Sequence, residues 1–246
     1  MEANTRQQAF TLYLFLAALF ITSLVVSNLI FQKFFVWQPF GQVEVFGAPI
    51  FEVSVGILPY PITFLITDLI SEIFGKKMAN KVVVAGIFAS IFSLLIVYTA
   101  SAVPATTWSP VVDSQFSNVF GNTIIAVFAS MMAYLLAQFV DIQIYHFWKR
   151  VTQGRHLWLR NNFSTFSSQF IDTFAVVFLL SAFGEIGWDR FWGLVIAGFL
   201  FKVMIAAADT PVLYLLVYMV KKKFHLKTNE EIDLLGTSNL PKSENI

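Results

Sequence analysis

The sequence has 246 residues, 57% hydrophobic and 13% charged, with 28 phenylalanines and a mean hydropathy of +0.70. That composition excludes an ordinary water-soluble globular domain. The net charge of +1 says nothing about nucleic acid, because the basic residues sit beside the apolar runs, and no nucleic-acid partner is expected; the absence of cysteine excludes disulfides and thiolate metal sites.

In chain order, apolar runs mark six expected membrane spans at roughly 10–32, 55–75, 82–103, 119–147, 163–185 and 191–220, each near the ~20 residues that a bilayer core of about 30 Å requires. The first is longer than the apolar core of a signal peptide and reads as a retained span. Lys and Arg set the orientation. Arg6 precedes the first span, and Lys76, Lys77 and Lys81 lie between the second and third. Lys149, Arg150, Arg155 and Arg160 lie between the fourth and fifth, and Lys221, Lys222, Lys223 and Lys227 follow the sixth. The alternate connections hold only Lys33 and Arg190. The expected fold is therefore an all-α membrane protein with six transmembrane helices and both termini cytoplasmic. A six-helix domain covers residues 1–227, and residues 228–246 form a polar tail expected to be disordered.

Residues 42–55, QVEVFGAPIFEVSV, alternate in strand fashion around Phe46-Gly47-Ala48-Pro49, which predicts a short outer hairpin. Gly56, Pro59 and Pro61 follow. A helix starting at Pro61 and ending near Gly75 would be about 22 Å long, too short to cross alone. The second span is therefore expected to be interrupted, a pattern that marks binding sites in transporters; a short tilted helix after an ordinary loop is the plainer reading.

Polar residues recur inside the spans. Asp68, Asp141, Asp172 and Asp209, measured from the basic ends, all fall about 12 to 18 Å deep and form one candidate layer. Each carboxylate would cost at least ~2.5–3.5 kcal/mol at the bilayer centre unless it faces the bundle interior or water. The near-copies AQFVD (137–141) and SQFID (168–172) place Gln138 with Asp141 and Gln169 with Asp172 at i, i+3 spacing, so amide and acid share a face. Asn161, Thr165 and Ser168 continue that stripe ahead of Asp172. A short basic loop makes the fourth and fifth spans antiparallel neighbours, bringing Asp141 and Asp172 to similar depth. Two carboxylates there repel unless they share a proton or bind a cation or donor-rich ligand.

For Asn28, Gln138 and Ser168, interhelical hydrogen bonding and ligand contact are both open. Lys202 and Asp209 are two turns apart, so Lys202 is expected to pair with an acid from another helix, although a structural pair with Asp209 stays open. Glu72 is a candidate charge partner that could also reach solvent or Lys76. The three histidines lie at the basic border, and neither HExxH nor GxxxxGK[ST] occurs, so no catalytic residue, metal or cofactor is expected.

Three blocks, PITFLITDLISEIFGKKMANK, QFVDIQIYHFWKRVTQGRHLWLRNNFSTFSSQFIDTF and KVMIAAADTPVLYLL, closely resemble the queuosine precursor transporter family of bacteria, also called the vitamin uptake transporter family. The resemblance implies an inner-membrane importer of a 7-deazapurine: 7-cyano- or 7-aminomethyl-7-deazaguanine, or queuine. It implies six helices similar to the substrate-binding components of energy-coupling-factor importers, acting without the ATPase module. Those components dock through an alanine-x-x-x-alanine face on their first helix. Here that helix reads FLAALFITSL, while Ala85 and Ala89 have the spacing in the third span. The substrate-binding residues are then expected among Asn28, Asp68, Gln138, Asp141, Ser168, Gln169, Asp172 and Asp209, with Glu72 and Lys202 as proton or charge partners. A homodimer is allowed. Another purine-like or vitamin substrate, a non-transporting scaffold and a membrane enzyme are the alternatives.

Overall fold

The computed structural model describes residues 3–31, 33–37, 41, 44–45, 48–49, 52–121, 124–153, 157–184, 187–227 and 230–234. Helix α1 (Ala3–Ile30) leads to two antiparallel ribbons. Strand β1 (Phe34–Val36) pairs with β4 (Glu52–Ser54), and β2 (Glu44–Val45) pairs with β3 (Ala48–Pro49). The expected hairpin is thus present and reaches further back than residue 42. Phe34, Phe35 and Val36 supply its returning edge, opposite Ser54, Val53 and Glu52. Its expected tip, Phe46-Gly47, lies outside the described residues.

A 3₁₀ turn at Val55–Ile57, capped by the Ser54 hydroxyl, precedes α2 (Tyr60–Ile73). At 14 residues, α2 is about 21 Å long, and Pro61 occupies its first turn, where the missing N–H costs nothing. Ten of its 14 residues are buried: Thr63, Phe64 and every residue from Ile66 to Ile73. A helix enclosed on all sides belongs at the centre of a bundle.

Gly75, with φ of +80°, turns the chain into α3 (Lys76–Ser101). A short α4 (Asp113–Phe116) and a π-type turn (Ser117–Gly121) follow. The bundle closes with α5 (Ile124–Val151), α6 (Leu157–Ala182) and α7 (Phe191–Lys223). The most extensive helix interface joins α5 to α6, as their short connection requires, and α7 packs on α6 and α2. The main apolar core lies where α1, α2, α3, α5 and α7 meet, around Phe20, Ile70, Ile73, Val83, Ile142 and Leu213. Outward faces are apolar as well: Phe15, Val84, Phe88, Phe92, Leu95 and Tyr218 are all exposed. Continuous apolar exposure of this kind is a lipid-facing surface.

Among the described residues, five helical segments are long and apolar enough to cross a membrane: Asn4–Ile30, Val55–Ile73, Lys76–Ser101, Asn162–Ala182 and Phe191–Lys223. The fourth expected span corresponds to α5, which is not among those five. One end of the bundle carries the hairpin, and the other carries Lys76, Lys149 and Lys221; they are called here the hairpin end and the lysine end.

The tail departs from expectation. Residues 230–234 fold back onto the lysine end, where the Ile232 N–H donates to Ile73 O at 2.7 Å. Ile232 is 2% exposed and joins the main core. Glu231 bonds Lys149 at 2.7 Å, and Arg6 donates to Leu234 O at 2.9 Å. Ile232, with Leu234 packed beside it and two charged contacts, thus places a segment whose composition reads as polar against the bundle. Residues 235–246 lie outside the described residues.

Candidate functional site

Tyr60 and Thr63 open α2 on the side facing α6 and α7, and Asp172 meets them from α6. The Tyr60 hydroxyl donates to Asp172 Oδ2, and the Lys202 ammonium from α7 pairs with the same oxygen. Lys202 also lies 4.6 Å from the centre of the Tyr60 ring, within the range of a cation–π contact. Asp172 is 1% exposed, and its other oxygen, Oδ1, has no hydrogen-bond partner. The expectation that Lys202 pairs with an acid from another helix agrees with this geometry: the partner is Asp172 rather than Asp209.

Two cavities meet at this cluster. The larger, about 980 Å³ including its mouth, opens toward the hairpin end between α1, α2, α6 and α7. Asn28, Ser54, Tyr60, Asp172 and Lys202 line it, with Phe31, Val176, Val177 and Leu180 as apolar wall. The smaller, about 430 Å³, lies toward the lysine end between α2 and α7, with Tyr60, Asp68, Gln169, Lys202 and Asp209 among its lining. Gly56 lets α1 approach the hairpin-end chamber closely. A Cβ there would come within 2.9 Å of Phe31, and the Ser27 hydroxyl bonds the Gly56 carbonyl.

The expected polar layer therefore divides. Asn28, Asp68, Gln169, Asp172, Asp209 and Lys202 line a cavity. Gln138, Asp141 and Ser168 line neither and are all 0% exposed. Gln138 Nε2 donates to Thr67 Oγ1 at 2.5 Å, and Ser168 Oγ donates to Asp141 Oδ1 at 2.9 Å. These contacts tie α5 to α2 and α6 directly behind the lining. Asp141 meets α6 at Ser168, one turn closer to the lysine end than Asp172, so the two acids serve different partners. Gln138 Oε1, Asp141 Oδ2 and Gln169 Oε1 are nevertheless buried acceptors without hydrogen-bond partners, an arrangement that calls for a donor. The side chains of Asn161 and Thr165, expected to extend the stripe, lie outside the described residues.

Glu72 sits elsewhere. It is 1% exposed at the lysine end, where Lys221 from α7 pairs with Oε1. Lys149 from α5 approaches Oε2 at 3.6 Å, and the Tyr145 hydroxyl donates to the same oxygen at 3.1 Å. Lys76 instead bonds Gln143, so of the readings open for Glu72 neither solvent nor Lys76 holds, and it takes part in an interhelical clamp.

Tyr60 is the residue that reading the sequence missed. Its signal was present in the PYP triplet, which fixes an aromatic hydroxyl at the break in the second span. Among the described residues, no group of three or more His, Asp and Glu side chains could hold a metal ion.

A bundle with a short buried helix at its centre, chambers on either side of a buried ion pair and an apolar outer surface is what a multi-pass membrane protein presents. Residues 54–216 match the family described as “Putative vitamin uptake transporter”. The “Queuosine precursor transporter” of Escherichia coli (strain K12) is 30% identical over 76% of this chain and 82% of its own length. The “Probable queuosine precursor transporter” of Bacillus subtilis (strain 168) is 29% identical over 72% of this chain and 76% of its own. No solved structure matches. The chain belongs to the vitamin uptake transporter family, in which the queuosine precursor transporters fall; it is a transporter and not an enzyme.

Proposed function

We propose that this chain imports a queuosine precursor, 7-cyano- or 7-aminomethyl-7-deazaguanine or queuine, across the bacterial inner membrane. In this reading α5 provides a sixth crossing, both termini are cytoplasmic, and no ATPase module takes part. The observation that carries the reading is Asp172: a buried carboxylate with one free oxygen on the wall of a cavity large enough for a purine-sized base.

A 7-deazaguanine presents adjacent N–H donors from its ring and exocyclic amine, which a carboxylate accepts as a two-point pair. Asn28 and Gln169 offer amides for its carbonyl, and Tyr60 and Phe31 offer aromatic faces for its ring. Gln138, Asp141 and Ser168 hold the helices that present these groups. Net binding needs only the surplus of these contacts over what water supplied, so a few well-placed groups suffice.

Cells blocked in queuosine synthesis test this. Expression of the chain with an external precursor should restore queuosine in tRNA, whereas Asp172→Asn should abolish uptake and still reach the membrane. Failure of the unaltered chain to restore queuosine with any of the three precursors overturns the reading. Purified protein should also melt at higher temperature in the presence of the carried base, since a ligand bound only to the folded state stabilises it.

A further inference from the structure

We propose that Tyr60, Asp172 and Lys202 form the partition between the two chambers, and that a ligand crosses it by taking Asp172 away from Lys202. This rests on the transport reading and assigns a step within it. Tyr60 and Lys202 line both cavities, whereas Asp172 lines only the hairpin-end chamber. On α7, Leu194 and Gly198 face that chamber, and Ile205, Ala206 and Asp209 face the other, with Lys202 between them. On α2 the order is the same, since Tyr60 precedes Phe64 and Asp68 toward the lysine end. Among the described residues, Tyr60 and Lys202 of the cluster are, with Ile57, the positions that the two chambers share.

Its chemistry suits a wall that opens. One carboxylate oxygen holds both the tyrosine hydroxyl and the ammonium, so polar contacts from α2, α6 and α7 converge on a single atom. The second oxygen is free and can begin to accept from a ligand before the first is released. A flat, neutral molecule with two adjacent N–H donors can therefore exchange for Lys202 and Tyr60 stepwise, without an interval in which the buried carboxylate is bare. Once released, Lys202 faces a chamber that contains Asp68 and Asp209, whose carboxylates keep the ammonium compensated. A molecule with one donor, or with acceptors only, offers no such exchange. The partition is thus a selectivity device as well as a barrier.

The natural chain has no cysteine, so single cysteines report access directly. Val176→Cys places a thiol in the hairpin-end chamber and Ala206→Cys places one in the lysine-end chamber. A membrane-impermeant sulfonated maleimide is applied to intact cells and to inverted vesicles. From the hairpin side, Val176→Cys should react rapidly and Ala206→Cys slowly. Adding Tyr60→Phe or Lys202→Met to the Ala206→Cys chain should raise its labelling rate about tenfold, because removing the pair raises the population of the open state. Exchanging the charges, Asp172→Lys with Lys202→Asp, should return the rate toward the starting value. Where Lys202→Met lowers the melting temperature, Tyr60→Phe, which removes one hydroxyl only, carries the test.

Equal labelling of Ala206→Cys with and without these changes, or no labelling at Val176→Cys from either side, overturns the partition. 7-Cyano-7-deazaguanine added to the Ala206→Cys chain should also speed its labelling. If the substitutions open the wall and none of 7-cyano-7-deazaguanine, 7-aminomethyl-7-deazaguanine and queuine does, the partition stands and the substrate reading fails. If the base is taken up while the substitutions leave labelling unchanged, the substrate reading stands and the partition fails.

Discussion

At the residue scale, the charges buried in this bundle fall into two sets with different partners. Asp172 is held by one lysine and one tyrosine beside a cavity, while Glu72 is held by two lysines and a tyrosine and lines neither of the two chambers. Removing the Glu72 charge takes from Lys221 the carboxylate it pairs with and leaves Lys149 to Glu231 in a buried site. Glu72→Gln should therefore cost about 3–5 kcal/mol of stability, read as a lower midpoint in detergent unfolding. Lys221→Met should cost less, because Lys149 still meets Glu72. Gly75 makes a second case. Its φ of +80° is left-handed, and an added Cβ would meet the Glu231 carboxyl carbon at 3.0 Å. Gly75→Ala should cost about 1–2 kcal/mol from backbone conformation alone, with a further loss if Glu231 is displaced from Lys149; comparing it in the presence and absence of Glu231→Ala isolates the second part. The sequence made the buried acids legible because charge in an apolar run is costly wherever it occurs. It did not reveal their partners. Lys149 and Lys221 read as border residues of their own helices, and only the convergence of α2, α5 and α7 brings them to one glutamate.

At the scale of elements, the short second helix was legible from Gly56, Pro59 and Pro61, since proline and glycine constrain backbone whatever the tertiary context. The β1 strand was not, because FFV after an apolar helix carries no alternation to separate it from the span before it. Close helix contacts were likewise hidden. Gly86 on α3 lies against Phe20 and Leu24 of α1, and a Cβ there would approach their ring and methyl carbons to 2.8 and 2.9 Å. These are side-chain atoms, so a methyl group can be accommodated and a larger group cannot. Gly86→Ala should change the unfolding midpoint slightly, and Gly86→Leu should cost about 1–3 kcal/mol by overpacking. The same melt separates them, and equal effects would show that α1 and α3 are free to part.

At the scale of the whole molecule, the apolar outer faces and the basic end were readable from composition and from the spacing of Lys and Arg. The fate of the tail was not, because a lone Ile232 among TNEEIDLLG gives no periodic signal. Its burial depends on a niche built by Ile73, Lys149 and the rest of the lysine end, residues far away in sequence. Ending the chain after Lys227 should remove the Glu231 and Ile232 contacts together. The truncated protein should still insert and should melt several degrees lower, by roughly the 1.5–3 kcal/mol that burying one isoleucine contributes. Ile232→Asp in the full chain should reproduce most of that loss, whereas Leu234→Ala, which keeps the backbone acceptor of Arg6, should reproduce little.

The position of that strap in the chain bears on how the protein is made. Residues 230–234 leave the ribosome after every described helix, yet they touch Arg6 of the first, Ile73 of the second and Lys149 of the fifth. Insertion of the helices and locking of the bundle are consequently separate events, and the second must wait for the first. During that interval Lys149 lacks one of its two carboxylates, so the lysine end of a newly inserted chain is held by fewer contacts than that of the finished protein.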